Sequence, residues 1–182
     1  LGKTVITLTA INDLKYNRFA VGRVLVIAPK KVAETTWVNE VKKWDHLSML
    51  RVIPVLGSQA KRIKALNTPG DIWVINRDNV QWIVDYYRNS WPFDMVVIDE
   101  SSSFKNPDAK RFKALTWVRP HMQRFLELTG TPSPNGLKDI WAQIYLLDGG
   151  DRLYDNFYKF RARYFEQSDR DGYTYTLKPG AE

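Results

Sequence analysis

The run Met95-Val96-Val97-Ile98 constrains this chain more than any other segment. Its residues carry no polar alternation, the pattern of a strand covered on both faces. It runs directly into two carboxylates, Asp99 and Glu100. Comparable runs recur, and the stretches Arg23 to Ala28, Arg51 to Leu56, Asp71 to Asn76, Asp94 to Asp99 and Arg124 to Thr129 all read as strands. Amphipathic segments of helical length separate or flank them: Thr4 to about Tyr16, Val32 to about Trp44, Gln59 to about Leu66, Asp78 to about Arg88, Asp108 to about Val118 and Leu137 to about Leu147. In the second of these, Val38, Val41 and Trp44 share one face while Glu40, Lys42 and Lys43 point elsewhere. Pro54 lacks an N–H for a ladder, so either its strand sits at a sheet edge or the segment is a poor strand. Alternating strands and helices predict an α/β fold, a parallel sheet with helices on both sides. Such sheets bind ligands beyond the carboxyl ends of their strands, so the residues that follow each strand are the candidates.

Gly2-Lys3-Thr4 precedes the first apolar helix. In a phosphate-binding loop, glycine lets backbone N–H groups approach phosphate oxygens, lysine reaches the β- and γ-phosphates, and the threonine hydroxyl holds Mg²⁺. The helix that follows presents its positive end to the same anion. As a tripeptide this is a common chance match. Asp99-Glu100 is the second signal. Adjacent carboxylates at the tip of a buried strand are costly unless they bind a cation or act chemically, although a helix-capping pair before Ser101-Ser102-Ser103 is the plainer alternative. In phosphoryl transfer one carboxylate helps hold Mg²⁺ and the other positions or deprotonates water. The two signals together are the halves of one magnesium–nucleotide site. Thr129-Gly130-Thr131-Pro132 closes the last strand with two hydroxyls about a sharp turn. In isolation it is an ordinary turn. Beside the acidic pair, it could bond to those carboxylates and sense the γ-phosphate.

The chain has 182 residues with a formal charge of +7, and its lysines and arginines cluster at Lys30-Lys31, Lys42-Lys43, Lys61-Arg62-Lys64 and Arg161-Arg163. A polyanion would gain from such clusters by counterion release, and a solvated basic surface is the alternative. Ala28-Pro29-Lys30-Lys31 and Ile75-Asn76-Arg77 each follow a strand and suit a phosphodiester backbone. No apolar run is long enough to span a membrane. Absent cysteine and only two histidines, His46 and His121, exclude a disulfide framework and argue against a zinc site; a cytoplasmic home is the expectation compatible with this.

Taken in order, these residues form a series: Gly2-Lys3-Thr4; Val26-Ile27-Ala28-Pro29-Lys30 with Trp37 and Glu40 to Trp44; Val97-Ile98-Asp99-Glu100 with Phe104-Lys105-Asn106; and Leu128-Thr129-Gly130-Thr131-Pro132 with Asn135 and Leu137 to Trp141. The series resembles lobe one of the SWI/SNF-type group of superfamily-two helicase-like ATPases, phage and prophage members above all. The resemblance covers nearly the whole chain. It implies a three-layer αβα RecA-like domain that hydrolyses ATP with Mg²⁺ and tracks along DNA, duplex more than single strand. By position it implies that Gly2, Lys3 and Thr4 cradle phosphate, and that Thr4 and Asp99 hold magnesium. Glu100 would activate water, with Asp99 and Lys3 completing the catalytic set. Thr129 and Thr131 would couple nucleotide state to DNA, and Lys30, Lys31, Asn76, Arg77 and Asn135 would touch DNA.

Two departures stand out. The family has a small residue and then histidine after its Asp-Glu pair, where this chain has Ser101 and Ser102; a serine hydroxyl can still bridge to the Thr-Gly-Thr-Pro segment. The family's Leu-Gln-Asn after Thr-Pro is here Ser133-Pro134-Asn135. The chain opens within a motif, at Leu1-Gly2-Lys3-Thr4, and is expected to be a piece of a longer protein. Residues 1–150 would be lobe one. Residues 151–182, with the basic aromatic stretch Tyr154 to Phe165 and the alternating Gly172 to Leu177, would lead toward a second lobe. Two other functions fit less of the series: a non-catalytic DNA-binding module with a vestigial nucleotide site, and a small-molecule kinase. The expectation for the isolated piece is negligible turnover, because the arginines of a second lobe are missing from it.

Overall fold

Alternate residues of each central strand feed two separate apolar layers. The computed structural model of the chain describes residues 2–134, 136–168 and 174–181. Five parallel strands, β1 (Val24–Ala28), β2 (Val52–Val55), β3 (Ile72–Asn76), β4 (Met95–Asp99) and β5 (Arg124–Leu128), form one sheet in the order β2-β3-β1-β4-β5. The register places Val26 beside Val74 and Val97, and Ile27 beside Ile75 and Ile98. Every residue of β1, β3 and β4 is buried, as their unbroken apolar runs require, whereas the β5 residues are partly exposed. Pro54 lies on β2, an edge strand, where its missing N–H costs no ladder bond.

On one face Val24, Val26 and Ala28 pack with Leu8 and Ile11 of α1 (Lys3–Asn12) and with Trp37 and Val41 of α2 (Trp37–Val41). On the other face Leu25 and Ile27 join a larger cluster. It gathers residues of α3 (Gln59–Leu66), α4 (Val80–Tyr87), α5 (Lys110–Val118), α6 (Ile140–Asp148) and α7 (Phe157–Tyr164). The result is the expected three-layer arrangement. Two of the expected helices change pitch: Asp13–Asn17 and Val32–Thr36 are π-helical turns, so α2 proper is short. It stops at Val41, and Trp44 is therefore extended and 43% exposed instead of sharing a buried face with Val41. Trp37 fills that core position.

The aromatic stretch beyond Gly150 is helical, as α7, and leads into an antiparallel pair, β6 (Phe165–Gln167) and β7 (Tyr175–Leu177). Phe160 and Phe165 enter the same cluster as α5 and α6, and the Trp141 indole donates to the carbonyls of Leu153 (2.9 Å) and Tyr154 (3.2 Å). Gly172 and Tyr173 lie outside the described residues.

Candidate functional site

The strand order fixes where a ligand can enter. From β1, the chain runs out through β2 and β3 on one side and then crosses to β4 and β5 on the other. The crevice at such a reversal opens beyond the carboxyl ends of the two strands that flank it, here β1 and β4. Pro29-Lys30 leaves β1 at that point and Asp99-Glu100 leaves β4.

The start of α1 meets this crevice. Gly2 precedes it at φ 85°, a left-handed conformation that favours glycine. One residue on, the Lys3 ammonium donates to Glu100 Oε1 at 2.9 Å, across 97 positions of sequence. Thr4, in the first turn, is half-buried. Glu100 itself has φ 60° and ψ 62°, the same left-handed region, where a residue with a Cβ is strained. That conformation ends the strand's strict alternation and turns Glu100 toward α1, while Asp99 stays buried.

Asp99 is only 8% exposed, and its Oδ2 accepts from the Trp37 indole N–H at 3.1 Å. Burial raises its pKa above the ordinary carboxylate value; the Trp37 N–H and the Lys3 charge oppose that rise, and the Glu100 charge adds to it. An ionised Asp99 thus rests on a fixed indole dipole and on nearby positive charge, and a cation placed there would favour it further. Sequence reasoning put Trp37 in the motif series without giving it a task. A buried indole N–H needs an acceptor, and that rule is the signal that pairs it with Asp99.

The Thr129-Gly130-Thr131-Pro132 turn follows β5, next to β4. The Thr129 hydroxyl accepts from the Thr131 N–H (3.1 Å), so it closes its own turn. The turn reaches the acidic pair by another route. Ser101, fully buried, donates to Gln143 Oε1 at 2.8 Å, and Gln143 Nε2 donates to the Pro132 carbonyl at 2.6 Å. Gln143 lies on α6, outside the predicted site.

The cations of the basic clusters divide, among the described residues, into those with a partner and those exposed without one. Arg62 stacks over Trp82, Lys43 pairs with Glu40, and Arg161 lies over Tyr175. Lys30 and Lys31 are exposed just past β1. Asn76 ends β3 level with Ala28, is buried, and accepts from Asn79. Arg77 follows it and lines a cleft of about 370 Å³ with Asp78, Gln81, Ala109, Lys110 and Arg111. Lys110 and Arg111 were not singled out from sequence, because they sit mid-segment and not after a strand. Asn135 lies outside the described residues. Among the described residues no group of three or more acidic, histidine or cysteine side chains forms a metal cage. An Mg²⁺ ion does not need one, since it retains waters and takes substrate phosphates. The Asp99 carboxylate beside the first turn of α1 fits that manner of binding. Among the described residues, no helix is long and apolar enough to cross a membrane.

The SNF2-related domain family matches residues 1–173. A putative protein p41 from Acyrthosiphon pisum secondary endosymbiont phage 1 is 39% identical over 94% of this chain, which spans 39% of that relative. The chromatin-remodeling ATPase INO80 of Saccharomyces cerevisiae is 28% identical over 87% of this chain and 11% of its own length. Among solved structures, the Sulfolobus solfataricus SWI2/SNF2 ATPase core in complex with dsDNA superimposes with a TM-score of 0.73 at 28% identity, over 90% of this chain and 32% of that one. This chain therefore spans well under half of the curated relatives it matches.

Proposed function

Since this chain belongs to the SNF2-related domain family, we propose that it is lobe one of an ATP-driven motor on duplex DNA. In this reading residues 1–150 form the nucleotide-binding lobe and residues 151–182 lead toward a second lobe. One observation carries it: the start of α1 and the end of β4 converge, with Lys3 on Glu100 and Asp99 beside them.

The residues then take these tasks. Gly2, Lys3 and the first N–H groups of α1 bind the triphosphate tail, Lys3 through its charge. The Thr4 hydroxyl and Asp99 would hold Mg²⁺, which supplies charge neutralisation at the phosphate oxygens when bound. Trp37 orients Asp99. Glu100 Oε1 accepts the proton of the attacking water, with Lys3 drawn off it by the phosphates. Thr129 and Thr131 lie in the turn that relays nucleotide state. Lys30, Lys31 and Arg77 contact the phosphodiester backbone, Asn135 joins them, and the buried Asn76, held by Asn79, braces the turn that presents Arg77. A second lobe outside this sequence supplies arginine to the transferring phosphate, worth on the order of 10³ to 10⁵ in rate, so this chain alone turns over negligibly.

The test is ATP hydrolysis by the protein that contains this chain, with and without duplex DNA. DNA-stimulated turnover lost in Lys3→Ala supports the motor. Turnover that ignores both DNA and Lys3, or a phosphorylated small molecule as product, would overturn it.

A further inference from the structure

Behind the acidic pair runs a chain of hydrogen bonds, buried at Ser101 and Gln143 and open at Pro132. Ser101 follows Asp99-Glu100 and is fully buried; its hydroxyl donates to Gln143 Oε1 at 2.8 Å. Gln143 is 4% exposed, and its amide donates twice, to the Pro132 carbonyl at 2.6 Å and the Asp139 carbonyl at 3.0 Å. Pro132 is the residue next to Thr131. One side chain from α6 therefore holds the residue after the carboxylates and the residue after the threonine turn at once. Both amide hydrogens and one acceptor site of Gln143 are used, so few other side chains could replace it without loss.

Glu127, on β5 beside Ile98 of β4, lies near Ser101. Its carboxyl lies against Ser101, and its Oε1 is buried with no hydrogen-bond partner. A serine hydroxyl has one hydrogen, and here it is given to Gln143. The hydrogen bonds run from Ser101 to Gln143 and from Gln143 to Pro132, with the Glu127 carboxyl buried at the Ser101 end. Burial pushes the Glu127 pKa up to about 8, against a smaller lowering effect of Ser101.

We propose that Gln143 is a positioning residue, locking the Thr129-Gly130-Thr131-Pro132 turn to the segment that carries the Asp99-Glu100 pair through Ser101. The proposal rests on the ATPase reading above. Gln143 touches neither nucleotide nor water in this role; it fixes the distance between two segments that do. A displacement of about 1 Å at reacting groups costs up to ~100-fold in rate, which sets the scale of the expected effect.

The experiment is steady-state ATP hydrolysis with saturating duplex DNA, on the protein that contains this chain. The variants are Gln143→Leu, Ser101→Ala and their combination, with Ser101→Ala as the milder change where Gln143→Leu folds poorly. Each single variant is expected to lower kcat between about tenfold and a hundredfold while the KM for ATP stays within about twofold. The double variant is expected to be no worse than Gln143→Leu, because both changes break one chain. Gln143→Glu keeps the acceptor for Ser101 and loses the donor to Pro132, so it should not restore kcat. Wild-type kcat in a folded Gln143→Leu or Ser101→Ala variant, or losses that multiply in the double variant, would overturn this inference and leave the motor reading intact. Absence of turnover in the unaltered protein would overturn both.

Discussion

The Lys3 ammonium lies 2.9 Å from the Glu100 carboxylate, and the two side chains are 36% and 43% exposed. An ion pair so open to water is worth about 0.2 to 1 kcal/mol. It is strong enough to hold two distant segments in register and weak enough for a more highly charged anion to displace. In the proposed motor the phosphates of ATP would take Lys3 and leave Glu100 free for water. Glu100→Gln is therefore expected to bind nucleotide at least as well as the unaltered protein while hydrolysis falls by about 10² to 10⁴-fold. Lys3→Ala should weaken nucleotide binding itself. A fluorescent-nucleotide titration beside single-turnover hydrolysis separates the two effects, and unchanged hydrolysis in Glu100→Gln would remove Glu100 from the mechanism.

Trp37 fixes Asp99 through one hydrogen bond of 3.1 Å. Trp37→Phe keeps most of the buried ring and removes the N–H, at a cost of about 2 kcal/mol for a bond to a charged group. The charged form of Asp99 loses support, so its pKa, already raised by burial, moves further up. The acid limb of the pH profile for kcat/KM should shift to higher pH, with the alkaline limb unmoved. A profile identical to that of the unaltered protein would show that Asp99 does not titrate in that limb.

Strand positions were readable because both-face burial demands uninterrupted apolar runs, as at Val24 to Ala28 and Met95 to Ile98. The edge position of Pro54 was readable from a missing N–H. The convergence of Lys3 with Glu100 was readable as chemistry, since two weak motifs made one site only together. The tertiary partners were not. Trp37 and Trp44 both suit an apolar helix face by spacing, and the π-helical turn at Val32–Thr36 with the stop at Val41 decides that Trp37 is buried and Trp44 exposed. Gln143 reads as a polar residue in a helix, and only the packing of α6 against the segments that follow β4 and β5 shows its partners Ser101 and Pro132.

Lys30 and Lys31 emerge exposed past β1. If both contact phosphates of duplex DNA, Lys30→Gln with Lys31→Gln should weaken DNA binding uniformly across sequences. It should also reduce the slope of log affinity against log salt by about 0.9 per lost contact. Nucleotide affinity without DNA should not change. Fluorescence anisotropy across a salt series measures the slope, and a slope equal to that of the unaltered protein would place the DNA elsewhere.

Glu127 gives a pH dependence of stability with a definite sign. Its folded pKa is raised from an ordinary 4.5 to about 8, because burial disfavours the carboxylate. The unfolded chain ionises this group first as pH rises, so the folded state binds more protons between those values. The stability it contributes is complete below about pH 4.5 and is lost progressively up to about pH 8, at about 1.4 kcal/mol per pH unit within that window. Asp99 is raised in the same direction, so the protein has a falling profile even without Glu127. The difference between proteins isolates the effect. Glu127→Gln keeps the size and cannot ionise. Its stability relative to the unaltered protein should rise steadily from pH 5 to pH 8 and then level off, in urea melts followed by tryptophan fluorescence. A constant difference across that range would mean that Glu127 is charged in the folded protein.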